Sequence, residues 1–251
     1  MYFDQFSQEK SPIIICGCPR SGTTALVDLF NKNGYLITNE WATLALRSSG
    51  LSTEEYFLEK QKVINNSELS DWLQKITNKQ LILEPNWQTL DYPELAYKVH
   101  GSLDVWGDKW RYELIIDSVL EDFPYAKIIY IHRDARDIVS SLINNKMVSS
   151  LTEAFNIWTE SILSWKNWKN RIKHVAISQI DLALNPSHVA LELENFLGIS
   201  FENYSIFDPT LETYKEFTHR ILSHHDYYNI ADDQSIPELV NKLLKELDYV
   251  E

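Results

Sequence analysis

The apolar residues of this chain fall into two kinds of segment. Short, nearly unbroken apolar runs occur at Ile13 to Cys16, Tyr35 to Thr38, Leu81 to Leu83, Lys127 to His132 and His174 to Ser178. Runs of this length without polar alternation are expected of strands buried on both faces, as in a parallel sheet. Between them, apolar positions recur every three or four residues. This predicts amphipathic helices over Thr23 to Lys32, Thr53 to Asn65, Arg111 to Asp122, Ala135 to Asn145 and Thr152 to Lys173. A further helix is expected with Asn185 as N-cap, Pro186 at the first helical position and Gly198 as its stop. A last helix is expected to start near Pro237. Alternating strands and helices predict an α/β domain of three layers, a central and mainly parallel sheet flanked by helices. No repeat or Gly/Pro/Ser-rich linker divides the chain, so residues 1–251 are read as a single domain. In such sheets ligands bind beyond the carboxyl ends of the strands.

Two candidate strands end in loops of that kind. The first runs into Gly17-Cys18-Pro19-Arg20-Ser21-Gly22-Thr23-Thr24 and then directly into a helical pattern. Gly17 and Gly22 have the spacing of G-x-x-x-x-G-K-[ST], with Thr23 in place of the lysine. A P-loop-like cradle of backbone N–H groups at a helix N-terminus still favours an anion. Arg20 adds a fixed positive charge, and the Thr23 and Thr24 hydroxyls add hydrogen bonds. The second loop, "HRDARD", follows the run "KIIYI". There Asp134 and Asp137 are interleaved with Arg133 and Arg136, a pattern that suits anion capture better than Mg²⁺ binding. Arg133 at the end of the strand and Ser141, two turns into the following helix, can grip a second phosphate.

Charge narrows the partners. The chain carries 23 basic and 36 acidic residues, a net of −13, which argues against general binding to nucleic acid or an anionic membrane. The last sixty residues hold 13 acidic and 4 basic side chains. They read either as a solvated acidic surface or as a rim that attracts a cationic substrate. No apolar run approaches the ~20 residues that cross a bilayer. The first ten residues lack the basic-then-apolar layout of a signal peptide. Cys16 and Cys18, one residue apart, suit neither a disulfide framework nor a metal site. These features lead to the expectation of a cytoplasmic protein. The densest histidine group, His219, His224 and His225, lacks a spacing that would place all three on one helix face, and no metal is expected.

The run "GCPRSGTT" followed by "FPYAKIIYIHRDARDIVSSL" resembles sulfotransferases that use 3′-phosphoadenosine 5′-phosphosulfate (PAPS). "VWGDKWRYEL" at Val105 to Leu114 is similar to a third motif of that family, Trp-Gly-Asp-Lys followed by Thr-Pro, which Trp110 and Arg111 replace here. The helix containing Trp158 and the late "FLGI" at Phe196 to Ile199 match as well. Gln179-Ile180-Asp181-Leu182 stands where the family often carries Tyr-Glu-Asp-Leu. The resemblance implies that residues 17 to 24 bind the 5′-phosphosulfate of the donor. It further implies that Arg133 and Ser141 hold the 3′-phosphate, and that Lys109 lies near the transferring sulfonate. Charge gathers on the leaving phosphate oxygen, where Arg20 and Lys109 would stabilise it.

Two residues compete for the role of general base. Glu40, in "LITNEW", resembles the glutamate that some family members place about twenty residues beyond the loop arginine. His100, in "YKVHG", resembles the Lys-Thr-His of cytosolic members. The Gly-Asp-Lys motif at Gly107 to Lys109 goes with the glutamate type and favours Glu40. The interval between the first loop and Lys109 is expected to build the acceptor pocket, and it contains Trp41, Trp72, Trp87, Tyr92, Tyr97 and Trp106. Aromatics beside acidic residues suit a small cationic acceptor, such as a guanidine alkaloid, through charge and cation–π attraction. Two other classes share such loops, a P-loop kinase-like phosphotransferase and a non-catalytic nucleotide-binding module. Thr23 weighs against the first, and Lys109 with an available base against the second.

Overall fold

Ile13, Ile14, Ile15 and Cys16 are all buried, because β1 (Ile13–Cys16) runs through the middle of the sheet. The computed structural model describes residues 11–39, 105–204 and 225–250. Among them are α1 (Thr23–Lys32), β2 (Leu36–Asn39), β3 (Trp106–Lys109), α2 (Ile116–Asp122), β4 (Lys127–His132), α3 (Ala135–Asn144), α4 (Leu151–Trp168) and β5 (His174–Ser178). α5 (Gln179–Leu184), α6 (Pro186–Leu197), α7 (His225–Tyr228) and α8 (Glu238–Glu246) follow. The described strands form one sheet in the order β2-β3-β1-β4-β5, and every pairing is parallel.

Alternation along the central strands sorts side chains into two cores. Ile13 and Ile15 of β1 and Ile129 and Ile131 of β4 join Leu26, Leu29 and Phe30 of α1 and Val189, Ala190 and Leu193 of α6. Ile14, Cys16, Ile128 and Tyr130 point to the opposite face, which is covered by residues of α2, α3, α4 and α8. The three-layer α/β arrangement expected from the sequence is the one observed.

β1, β4 and β5 fall where the apolar runs place them, and β2 is displaced by one residue. The expected helix over 111–122 divides into a 3₁₀ turn (Tyr112–Leu114) and α2. Asn185 takes the N-cap position of α6 without a side-chain capping hydrogen bond, with Pro186 in the first turn and Gly198 in the left-handed conformation at the end. The expected strand at Leu81 to Leu83 and helix at Thr53 to Asn65 lie outside the described residues.

β3 was not expected from pattern, since "WGDK" is neither apolar nor alternating. Its place is set by close approach to β1. A Cβ on Gly107 would lie 2.0 Å from the Ile13 carbonyl oxygen, so only glycine fits between the strands. Asp108 is fully buried beside it and accepts the Tyr112 hydroxyl at 2.5 Å. The chain leaves β1 for β2 and β3 on one side and reaches β4 and β5 on the other. The carboxyl end of β1 is therefore a topological switch point, where a ligand crevice is expected.

Candidate functional site

The segment after β1 turns sharply because two glycines allow it. Gly17 has φ +152°, and a Cβ there would sit 2.2 Å from the Ile131 carbonyl oxygen of β4. Gly22, at φ +100°, is the N-cap of α1 and has no side chain to cap it; no acidic residue occupies the first turn of the helix. The first amides of α1 thus lack a side-chain acceptor, the arrangement that suits a bound anion. Within the loop, Ser21 N–H donates to the Cys18 carbonyl at 3.0 Å. The Ser21 hydroxyl is fully buried and has no hydrogen-bond partner. Thr23 is buried and Thr24 is exposed. Cys16 and Cys18 are buried free thiols, and burial pushes both well above the usual thiol range.

Replacing Gly17 by Ala is expected to unfold the protein more readily through the clash with β4, which adds about 1–3 kcal/mol. Gly198→Ala is the control. That site also has positive φ but nothing within 4 Å of the new methyl, so only the backbone term of roughly 1–2 kcal/mol remains. Denaturant midpoints of the two variants test the difference.

β4 delivers the second loop next to the first. The N-terminus of α3 is already capped, since the Asp134 carboxylate accepts the Arg136 N–H at 2.8 Å. The same carboxylate takes Arg136 Nε at 3.0 Å and Nη2 at 2.7 Å. Unlike the first loop, the second presents side chains and not a bare helix end. Arg133 donates from Nη1 to the Arg20 carbonyl at 3.2 Å, and its Nε lies 3.5 Å from Asp137. Arg20, in the left-handed conformation with φ +72°, donates from Nε to the Ser141 hydroxyl at 2.9 Å. Arg20, Arg133 and Ser141 are thereby brought together across 121 residues of chain. The Trp158 indole of α4 donates to the Arg133 carbonyl at 2.9 Å and holds the turn from behind.

Lys109 ends β3 with only 8% exposure and is in register with Ile15 on one side and Asn39 on the other. It therefore stands beside the strand that feeds the first loop. The candidate bases Glu40 and His100 lie outside the described residues, as do Trp41, Trp72, Trp87, Tyr92 and Tyr97. Asn39, which precedes Glu40 in sequence, ends β2 and is in register with Lys109.

Two residues of the site, Glu113 and Tyr249, were given no role by sequence, and Gln179 was marked only as the start of the run that replaces Tyr-Glu-Asp-Leu. Glu113 accepts the Gly17 N–H at 3.1 Å, which makes Gly17 a turn residue whose amide is already engaged. Gln179, 4% exposed, packs its Cγ 3.0 Å from the position of a Cβ on Gly22, and its side-chain oxygen has no hydrogen-bond partner. Tyr249, near the C-terminus, bonds His132 Nδ1 at 2.7 Å and gives its carbonyl to Arg136 at 3.3 Å. Burial lowers the His132 pKa to about 4, so the ring is neutral next to Arg133.

The Sulfotransferase family model matches residues 12–203. The sulfotransferase domain from the Synechococcus PCC 7002 olefin synthase superposes with a TM-score of 0.61 at 16% identity, with 98% of each chain covered. The sulfotransferase domain from the curacin biosynthetic pathway gives a TM-score of 0.65 at 17% identity, covering 97% of this chain and 99% of that one. Identities of this size speak to the fold alone. No curated protein matches the sequence. Among the described residues, no helix is long and apolar enough to cross a membrane and no group of His, Cys, Asp or Glu has the arrangement of a metal site. The family match runs through both candidate anion loops and the strand that carries Lys109, and on it the chain belongs to the Sulfotransferase family.

Proposed function

We propose that this protein moves the sulfonate group of PAPS to a hydroxyl or amine of a small-molecule acceptor. The observation that carries the reading is the meeting of two anion sites of different construction. One is the uncapped N-terminus of α1 with the buried, unpartnered Ser21 hydroxyl. The other is the side-chain group Arg20, Arg133 and Ser141. A nucleotide with phosphate groups on both its 5′ and 3′ positions matches such a pair. Residues 17 to 24 would take the 5′-phosphosulfate, with Gly17 supplying the turn because its N–H is engaged by Glu113, and Arg133 with Ser141 the 3′-phosphate.

In the reaction the acceptor atom forms a bond to sulfur while the bond from sulfur to the phosphate oxygen breaks. The acceptor proton passes to the base, and adenosine 3′,5′-bisphosphate (PAP) leaves. Lys109 and the loop supply positive charge where the leaving oxygen gains negative charge. We assign the base to Glu40, and the whole chain to one cytoplasmic catalytic domain. A phosphotransferase reading is less well supported, because Asp134, the first carboxylate after β4, is fully engaged by Arg136.

Thermal shifts with PAP, with ATP and without ligand test the donor. Stabilisation by PAP and not by ATP is expected; the reverse pattern, with magnesium-dependent ATP turnover, would replace the proposal. Arg133→Ala removes a charge-assisted contact of the order of 1.5–3 kcal/mol. PAP binding should weaken more than about tenfold, and adenosine 5′-phosphosulfate binding far less. Equal losses would show that Arg133 does not read the 3′-phosphate. The acidic chain and the aromatic residues between the loop and Lys109 support a cationic acceptor. In an acceptor screen, turnover of anionic polysaccharides and not of small cations would overturn that part.

A further inference from the structure

A carboxylate lies directly beneath the first anion loop. Glu113, in the 3₁₀ turn after β3, is fully buried. Its Oε2 accepts the Gly17 N–H at 3.1 Å and its Oε1 accepts the Ser161 hydroxyl at 2.9 Å. Arg111 Nε stands 3.7 Å from Oε1. The Glu113 main-chain carbonyl accepts the Ser164 hydroxyl and, at 3.1 Å, the Trp168 indole. One residue thus joins the loop after β1, the segment that carries Lys109, and α4, which also supports Arg133 through Trp158.

A buried carboxylate bonded to the first amide of an anion cradle is electrostatically contrary, because two like charges close together do not both ionise cheaply. We propose that Glu113 is the positioning residue of the anion loop and that its charge is coupled to the occupancy of that loop, so that binding an anion takes up a proton at Glu113. The proposal rests on reading this loop as the site of the donor's 5′ group. Either protonation state keeps the loop in place. The neutral carboxyl still offers its carbonyl oxygen to Gly17, and its hydroxyl can donate to Ser161.

The surrounding groups do not take the proton instead. Cys16 and Cys18 on the β1 side and Tyr130 on β4 are pushed up, mainly by burial and further by the Glu113 charge, and stay neutral. Arg111 Nη2 is shared with Glu160 at 2.9 Å. Asp108 on β3 accepts the Tyr112 hydroxyl. Glu113 itself is raised by burial, against the opposing pull of Arg111, Ser161 and Gly17. Above its pKa in the folded protein it is ionised and opposes an anion; below it, the opposition is lost.

The test compares the Kd of PAP and of inorganic sulfate for the native protein and for Glu113→Gln between about pH 5.5 and 8.5. The ratio of native to variant Kd should rise with pH by about tenfold, as expected for like charges coupled by about one pKa unit. Titration of the PAP phosphates cancels in that ratio. A purely structural role would shift it by a constant factor, so a flat ratio with both probes overturns the proposal. Should Glu113→Gln not fold, Arg111→Gln serves instead. Loss of the cation should move the midpoint of the pH dependence upward, and an unmoved midpoint overturns the proposal equally. If sulfate shows the coupling and PAP does not bind at all, the donor reading falls while the coupling stands.

Discussion

Turnover of the Glu40→Gln variant is expected to fall by ~10²–10⁴-fold, while its Kd for PAP stays near the native value. The amide keeps the shape of the side chain and cannot accept the acceptor's proton. The placement of the neighbouring residues favours this assignment. β2 ends at Asn39, Asn39 is in register with Lys109, and Glu40 is the next residue of the chain. Single-turnover rates with saturating donor isolate the chemical step. His100→Asn should lower the same rate much less. If the two variants exchange behaviours, the histidine is the base, and the grouping of this chain with the glutamate type is wrong.

The second large effect is expected at Lys109. Lys109→Met keeps most of the side-chain volume and removes the charge, and the chemical step should slow by ~10²–10³-fold. The argument is positional: Lys109 is 8% exposed at the end of β3, paired with Ile15 two residues before Gly17. On the proposed reading, a largely buried charge held there would act on the leaving oxygen, where electrostatic stabilisation is strong. Because that charge counts most when the leaving oxygen gains its own, the rate should suffer more than PAP affinity. A variant that loses affinity as much as rate would place Lys109 in donor binding alone.

Much of this arrangement is legible in the sequence because it depends on local constraints. Buried parallel strands need continuous apolar runs, so β1 and β4 are marked by composition, while the edge strand β5 is marked by a short apolar run that buries alternate residues. The turns into α1 and α6 depend on glycine and proline at fixed positions. The two candidate anion loops, with Arg20 and Arg133, are readable for the same reason: each lies at a strand-to-helix turn whose residues are contiguous, and Ser141 lies within the helix that follows the second.

Tertiary structure decided what proximity alone creates. β3 is a strand only because Gly107 lets it approach the Ile13 carbonyl, a contact with a partner more than ninety residues away. The sequence placed Arg20 and Ser141 at separate phosphates, yet the fold joins them by a hydrogen bond across the crevice. Glu113 looks like an ordinary charged residue in "WRYEL" until the sheet closes over it and sets its carboxylate against Gly17. Tyr249 likewise gains meaning only once α8 brings it back to His132. A sequence records the chain's own turns and faces. Which distant polar groups share a dry interior is fixed by the order of strands in the sheet, and there a carboxylate, a guanidinium and an amide acquire their chemistry.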